Sequence, residues 1–253
     1  MPDPPVPSAD PFEILRRATP ARVGLGRTGQ GLPTAPMLAF QLAHARARDA
    51  VHAALDVEAL RASLDAPAIL IDSAAPDRAT YLNEPDLGRR LDPATPPLPR
   101  GDHDLAIFIG DGLSATAVQA HAAAVVTALR ARLSGWGIAP LVIARQARVA
   151  IGDPIGEALG AKAVVVLIGE RPGLSAADSL GAYITWAPRT GRRDSERNCV
   201  SNIRAPGGLS PQQAADKIAW LLQEARRIGL TGVELKDRAS DEASRLKPPN
   251  FKP

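Results

Sequence analysis

Leu105-Ala106-Ile107-Phe108-Ile109-Gly110, followed at once by Asp111-Gly112-Leu113-Ser114, reads as a short buried strand, a tight turn and the N-cap of a helix. The helix it opens runs to about Leu133. Downstream the alternation continues. Pro140–Arg145 is a strand, and Asp153–Leu159 is a helix with Pro154 at its start and Gly160 at its end. Ala163-Val164-Val165-Val166-Leu167-Ile168 is a continuous apolar strand of the kind buried on both faces of a parallel sheet. Tyr183–Ala187 is a further strand candidate, and Arg192–Arg204 reads as irregular. Ser210-Pro211-Gln212-Gln213 is a capping box, opening a helix with apolar positions at Ala214, Ile218, Leu221, Leu222 and Ala225 that ends at Gly229. Strands alternating with helices of this length predict a parallel sheet covered on both faces.

Upstream the pattern is mainly helical. Asp10, Pro11 and Glu13 form a capping box for a short helix to about Ala18, closed by Pro20. A glycine-rich loop, Gly24–Gly31, leads to a long helix opened by Thr34 and Pro36 and running to about Leu55. Ala68–Ser73 reads as a strand, and Thr80–Asn83 as a strand or turn. Pro93, Pro96, Pro97 and Pro99 crowd one segment, which places a boundary there. The fold class is therefore α/β: a Rossmann-like parallel sheet with helices on both faces, preceded by a mainly helical N-terminal region. The expected divisions are 1–99 (N-terminal helical region and linker), 100–237 (Rossmann-like domain) and 238–253 (loose tail).

Composition narrows the function. The chain has 253 residues, 45% of them apolar and 4% aromatic, which is enough for an aliphatic core. The net charge is +3, and the high pI of about 9.3 reflects 25 arginines against 5 lysines with no run longer than two. That is not the clustered footprint of nucleic-acid binding, so no nucleic-acid partner is expected. No apolar run approaches the ~20 residues a membrane helix needs, and no membrane association is expected. Met1–Asp10 lacks the basic and apolar blocks of a signal peptide, and a soluble cytoplasmic protein is the default.

Catalytic constellations are missing. His44 and His52 lie about 12 Å apart along one helix, too far to share a metal, and His103, His121 and the single Cys199 supply no ligand spacing. There is no G-x-S-x-G elbow. Gly24, Gly26 and Gly29 match G-x-G-x-x-G, yet a helix precedes them and Pro33 and Pro36 follow, which is the wrong context for a dinucleotide. Gly110-Asp111-Gly112-Leu113-Ser114-Ala115 has the right context for a nucleotide turn but places a carboxylate beside the phosphates. Its other reading is a tight turn with Asp111 bonding local amides. Three polar segments follow strands or lie near their ends: Arg145–Val149, Gly169–Gly173 and Arg197–Arg204. In a parallel sheet the carboxyl ends converge on one edge, which suits a large polar ligand or a partner surface.

Arg22-Val-Gly-Leu-Gly-Arg-Thr-Gly29, Phe40-Gln-Leu-Ala-His-Ala-Arg-Ala-Arg-Asp49, Gly110–Ser114, Gly169-Glu-Arg-Pro-Gly-Leu174 and Arg197-Asn-Cys-Val-Ser-Asn-Ile203 resemble the small (light) subunit of ethanolamine ammonia-lyase. The likeness runs from about Pro11 to Gly232, with the motifs in family order. The resemblance implies a bacterial enzyme that uses adenosylcobalamin to convert ethanolamine to acetaldehyde and ammonia. It also implies a large-subunit partner, a β/α barrel holding the substrate, with the small subunit closing over the corrinoid. Cobalamin-contacting positions then fall on Val149, Glu170 and Cys199, with no catalytic residue in this chain and no metal ligand. The Asp-x-His-x-x-Gly segment that supplies an axial histidine to cobalamin is absent, so no such ligand is expected. Some members carry a longer N-terminal extension associated with bacterial microcompartments. Here about ten residues precede the first capping box, and Pro2, Pro4, Pro5 and Pro7 make them a poor amphipathic helix. Two other readings stand beside this one: a nucleotide-binding Rossmann enzyme using the Gly110–Ala115 turn, and a non-catalytic assembly subunit holding a partner through the arginine-rich helix.

Overall fold

The computed structural model describes residues 10, 12–19 and 21–236. The expectations for Pro11, Pro20, the prolines before Asp10 and the tail 238–253 lie outside the described residues. In chain order the elements are α1 (Glu13–Ala18), α2 (Thr34–His52), α3 (Val57–Ser63), β1 (Ala68–Asp72), α4 (Arg78–Asn83), β2 (His103–Gly110), α5 (Ala115–Arg132), β3 (Leu141–Arg145), α6 (Gly152–Leu159), β4 (Ala161–Gly169), β5 (Leu180–Trp186), β6 (Asn198–Ile203) and α7 (Pro211–Ile228), with short 3-10 turns between some of them.

The six strands form one sheet in the order β1-β3-β2-β4-β5-β6. The first four are parallel, with Leu105 to Gly110 of β2 in register with Ala163 to Ile168 of β4. β1 comes from before the proline-rich segment yet pairs with β3, so the sheet draws strands from both sides of that segment. β5 and β6 depart from the all-parallel expectation: each runs antiparallel to the strand before it. The reason is the connection. Segment 170–179 contains no helix, and a parallel return needs a crossover of a dozen or more residues. The irregular stretch expected at Arg192–Arg204 is thus corrected in its second half, where Asn198–Ile203 forms the edge strand β6.

Side-chain alternation sends successive residues of the buried strands to opposite faces. Leu105, Ile107, Ile109, Val165 and Leu167 pack with α5 and α7, while Ala106, Phe108, Val164 and Val166 pack with Ile151, Ile155 and Leu159 around α6. Each fully buried Leu, Ile or Val contributes roughly 1.5–3 kcal/mol. Ser114 caps α5 through the Ala117 N–H at 3.2 Å, and Ser210 and Gln213 form the reciprocal box at the start of α7.

Thr80–Asn83 is not a strand but part of α4, begun by Asp77, whose carboxylate accepts from the Thr80 N–H at 2.8 Å. The capping box expected at Asp10 and Glu13 does not form. Asp10 accepts from the Phe12 N–H, and Glu13 instead pairs with Arg17 at 2.6 Å. α2 ends at His52, because Ala53 is extended and Asp56 starts α3. Along α2 only Ala50 is buried, and Met37, Leu38, Phe40 and Leu42 are exposed. No helix among the described residues is long and apolar enough to cross a membrane.

Candidate functional site

At the carboxyl edge of β2, β3 and β4, on the α6 face, a cavity of about 460 Å³ opens beside the start of the β5–β6 hairpin. Val149 and Glu170 both line it, together with Tyr81, Leu113, Arg148, Arg171 and Tyr183. Two of the three expected contact residues therefore share one wall. Cys199 does not line it. It pairs across the sheet with Tyr183, a residue that lines the cavity.

Each position follows from local structure. Val149 is half-buried at the first residue of the 3-10 turn that carries β3 into α6. Glu170 is the first residue after β4 and is half-buried. Its partners are hydroxyls and an amide, not an arginine. Ser201 donates to Oε1 at 2.5 Å, Ser179 donates to Oε2 at 2.5 Å, and the Asn202 N–H reaches Oε2 at 3.2 Å. The carboxylate thus ties the end of β4 to β6 and retains unused lone-pair capacity. Burial raises the Tyr183 phenol, with the neighbouring Cys199 adding to the rise. The Cys199 thiol is exposed at its rim, but crowding by its neighbours still pushes it up, against the opposing pull of the Tyr183 hydroxyl.

Residues missed from sequence form the floor. The buried Tyr81 ring lies between two guanidinium groups, Arg78 at 4.7 Å and Arg148 at 4.4 Å from its centroid. Its hydroxyl donates to the Ala147 carbonyl at 3.1 Å, and burial pushes the phenol up to about 12. Gly88 packs beneath: a Cβ there would come within 2.8 Å of Arg148 Cγ and 2.9 Å of the Tyr81 ring. Only the Asp77 cap gave α4, and hence Tyr81, a signal in the sequence.

The Gly110–Ala115 turn turns its polar groups inward. Asp111 is buried and accepts from the Gln146 and Ala147 N–H groups at 2.9 and 3.0 Å, with Arg78 at 3.6 Å. Burial raises its pKa, opposed by those amides. The Asp111 and Leu113 N–H groups go to Ala144 and Gly169 carbonyls. Gly112 lies so close to β4 that a Cβ would meet the Gly169 carbonyl at 2.3 Å. Through these bonds the turn locks β2 against β3 and β4. The Gly24–Gly31 loop is held in the same manner, with Arg16 donating to the Gly24 carbonyl at 2.7 Å. Among the described residues no group of three or more His, Cys, Asp or Glu could hold a metal ion.

Fold and cavity together define an α/β domain with an open, partly polar cavity at one edge of its sheet and a long N-terminal helix that exposes Met37, Leu38, Phe40 and Leu42. The family model described as ethanolamine ammonia-lyase light chain matches residues 9–236. Proteins named ethanolamine ammonia-lyase small subunit are similar over almost the whole chain. That of Azotobacter vinelandii is 53% identical over 94% of this chain and 91% of its own length. That of Bradyrhizobium diazoefficiens is 54% identical over 97% of each, and that of Xanthomonas campestris pv. campestris (strain ATCC 33913) is 50% identical over 99% and 98%. The chain belongs to the ethanolamine ammonia-lyase light-chain family.

Proposed function

We propose that this chain is the small subunit of an adenosylcobalamin-dependent ethanolamine ammonia-lyase, covering the corrinoid against a large subunit that holds ethanolamine. The observation that carries the reading is the shared wall of Val149 and Glu170 at the carboxyl edge, in a chain of this family. A corrin has broad apolar faces and an amide-bearing rim. The cavity fits it in kind: Val149, Leu113 and Ile168 offer apolar contact, and Glu170 and Arg171 offer an acceptor and donors.

When bound, adenosylcobalamin would supply the radical chemistry. This chain's residues bind and orient. Val149 presents an apolar side chain fixed by the turn into α6. The Glu170 carboxylate, prealigned by Ser179 and Ser201, accepts from a rim amide with its spare lone-pair capacity. The Cys199–Tyr183 pair gives a small polarisable surface beside it. By covering the ligand, the edge excludes water from the reaction.

The large subunit supplies the cover for α2. Exposed Leu38, Phe40 and Leu42, and the groove lined by Phe40, His44 and Arg48, form an apolar and basic face that the home sheet leaves uncovered. Placement in the bacterial cytoplasm accompanies this reading. The test is to mix purified chain with the large subunit and adenosylcobalamin, then separate the complex by size. Corrinoid absorbance is expected with the complex, and ethanolamine deamination only when both subunits are present. Deamination by the chain without the large subunit would overturn the reading.

A further inference from the structure

Arg148 carries a charge that the fold does not neutralise. Its neighbours at this end of the sheet each face a carboxylate, Arg78 that of Asp111 at 3.6 Å, Arg145 that of Asp72 at 2.6 Å and Arg204 that of Asp178 at 3.0 Å, although Arg78 Nη2 is also buried without an acceptor. Among the described residues Arg148 forms no ion pair, and Nη2, bonded to the Tyr81 carbonyl at 3.1 Å, is its one side-chain nitrogen with an acceptor. Nε is buried without one. Nε faces protein and is closed to a ligand, whereas Nη1 has neither a protein acceptor nor burial and is the donor left open on a residue that lines the cavity.

The side chain is also held in place. The Arg148 N–H donates to the Gly88 carbonyl at 2.7 Å, the guanidinium stacks 4.4 Å from the Tyr81 centroid, and Gly88 leaves no room for a side chain beneath it. The one carboxylate lining the cavity, Glu170, is bound by Ser179, Ser201 and the Asn202 amide. Arg171, exposed on the rim, has no ion pair among the described residues either. The cavity therefore presents two guanidinium groups without an ion pair against one carboxylate, held by neutral donors, which leaves an excess of positive charge. A planar guanidinium fixed on an aromatic ring is suited to a tetrahedral oxyanion, whose paired oxygens match its fork of donors.

We propose that Arg148 is a ligand-binding residue that holds a phosphate group in this cavity. This rests on the corrinoid reading above: the group is the phosphodiester of the cobalamin nucleotide loop, which brings Arg148 into the binding site beside Val149. The same chemistry could come from a free phosphate compound, and the test separates the two.

The experiment titrates the complex with the large subunit, following corrin absorbance, with cobinamide and with cobinamide phosphate, which differ by the phosphate alone. The wild-type complex is expected to prefer cobinamide phosphate by about 10–150-fold, the range of a charge-assisted contact. Arg148→Gln should erase that preference while leaving cobinamide affinity within about threefold, which also shows that the variant is folded. Arg148→Lys should keep part of it. A preference that survives Arg148→Gln, or an equal loss for both ligands, overturns the assignment. If neither corrinoid binds the wild-type complex, the corrinoid reading fails, and a pyrophosphate titration of the full chain decides. Binding that Arg148→Gln abolishes keeps the anion site with a free phosphate compound as its source, and no binding overturns it.

Discussion

The Asp153 carboxylate and the Arg197 guanidinium meet as a bidentate pair, both contacts at 2.7 Å, across 44 residues of sequence. Both side chains are almost fully shielded, and Thr185, the Arg192 carbonyl and the more exposed Asp194 complete the arginine's hydrogen bonds. The pair joins the start of α6 to the residue before β6, and so sets where Cys199 and Ser201 fall beside the cavity. Removing one partner strands a buried charge, at a cost of about 3–5 kcal/mol. Arg197→Met should lower the melting temperature by roughly 6–20 °C for a chain of this size. The double variant Asp153→Leu/Arg197→Met should recover much of that. A single variant that melts with the wild type would show the pair to be dispensable.

Glu170 offers a test of the corrinoid site. Glu170→Gln keeps the shape but directs an amide NH2 at hydroxyl and amide donors, so the Ser179, Ser201 and Asn202 contacts cannot all survive. Cobalamin affinity of the complex should fall about 10–150-fold, the value of a charge-assisted bond. The melting temperature should fall as well. A lower melting temperature with unchanged affinity would reduce Glu170 to a tie between β4 and β6.

At the opposite edge of the sheet, Asp104 accepts from the Gly137 N–H at 3.0 Å and from Lys162 at 3.1 Å. The amide bond first, then Lys162 and Arg226, hold its carboxyl below the ordinary aspartate value. A carboxyl lowered in the folded state adds stability that is present above the ordinary value and is lost as the pH falls through the folded one. The melting-temperature difference between wild type and Asp104→Asn should therefore be full at neutral pH and shrink below about pH 4. A difference that does not change with pH would assign the effect to shape and not to charge.

Cys199 should react slowly. The residue is solvent-accessible, but desolvation by its neighbours raises its thiol, so at pH 8 less thiolate is present than on an unperturbed cysteine. Alkylation by iodoacetamide, followed by mass spectrometry, should be slower than that of glutathione. It should slow further in Tyr183→Phe, which removes the hydroxyl that favours the thiolate. A rate equal to that of the free thiol in both proteins would refute this.

The apolar face of α2 predicts an assembly defect without a folding defect. Leu38→Asp/Phe40→Asp alters two exposed side chains, 54% and 42% accessible. It should leave the melting temperature within about 2 °C, as surface changes do. Association with the large subunit should weaken by at least about tenfold, since burying two charges in an apolar contact is costly. Unchanged association would place the partner elsewhere.

The sequence by itself determined the elements whose signals are local. Leu105–Gly110 and Ala163–Ile168 are legible as buried strands because both faces are apolar, and α5 and α7 because Ser114 and Ser210 satisfy the first amides of each helix. The motifs also carried the family. Tertiary structure decided the rest. The turn-back of β5 depends on a connection too short for a crossover, and β6 is an edge strand whose two buried apolar residues, Val200 and Ile203, stand three positions apart and so miss the strand period of two. The Tyr81–Arg148 floor joins residues 67 positions apart through ring stacking and a backbone bond. Such contacts depend on which strands become neighbours, and strand order is a property of the packed sheet that no local window of sequence contains.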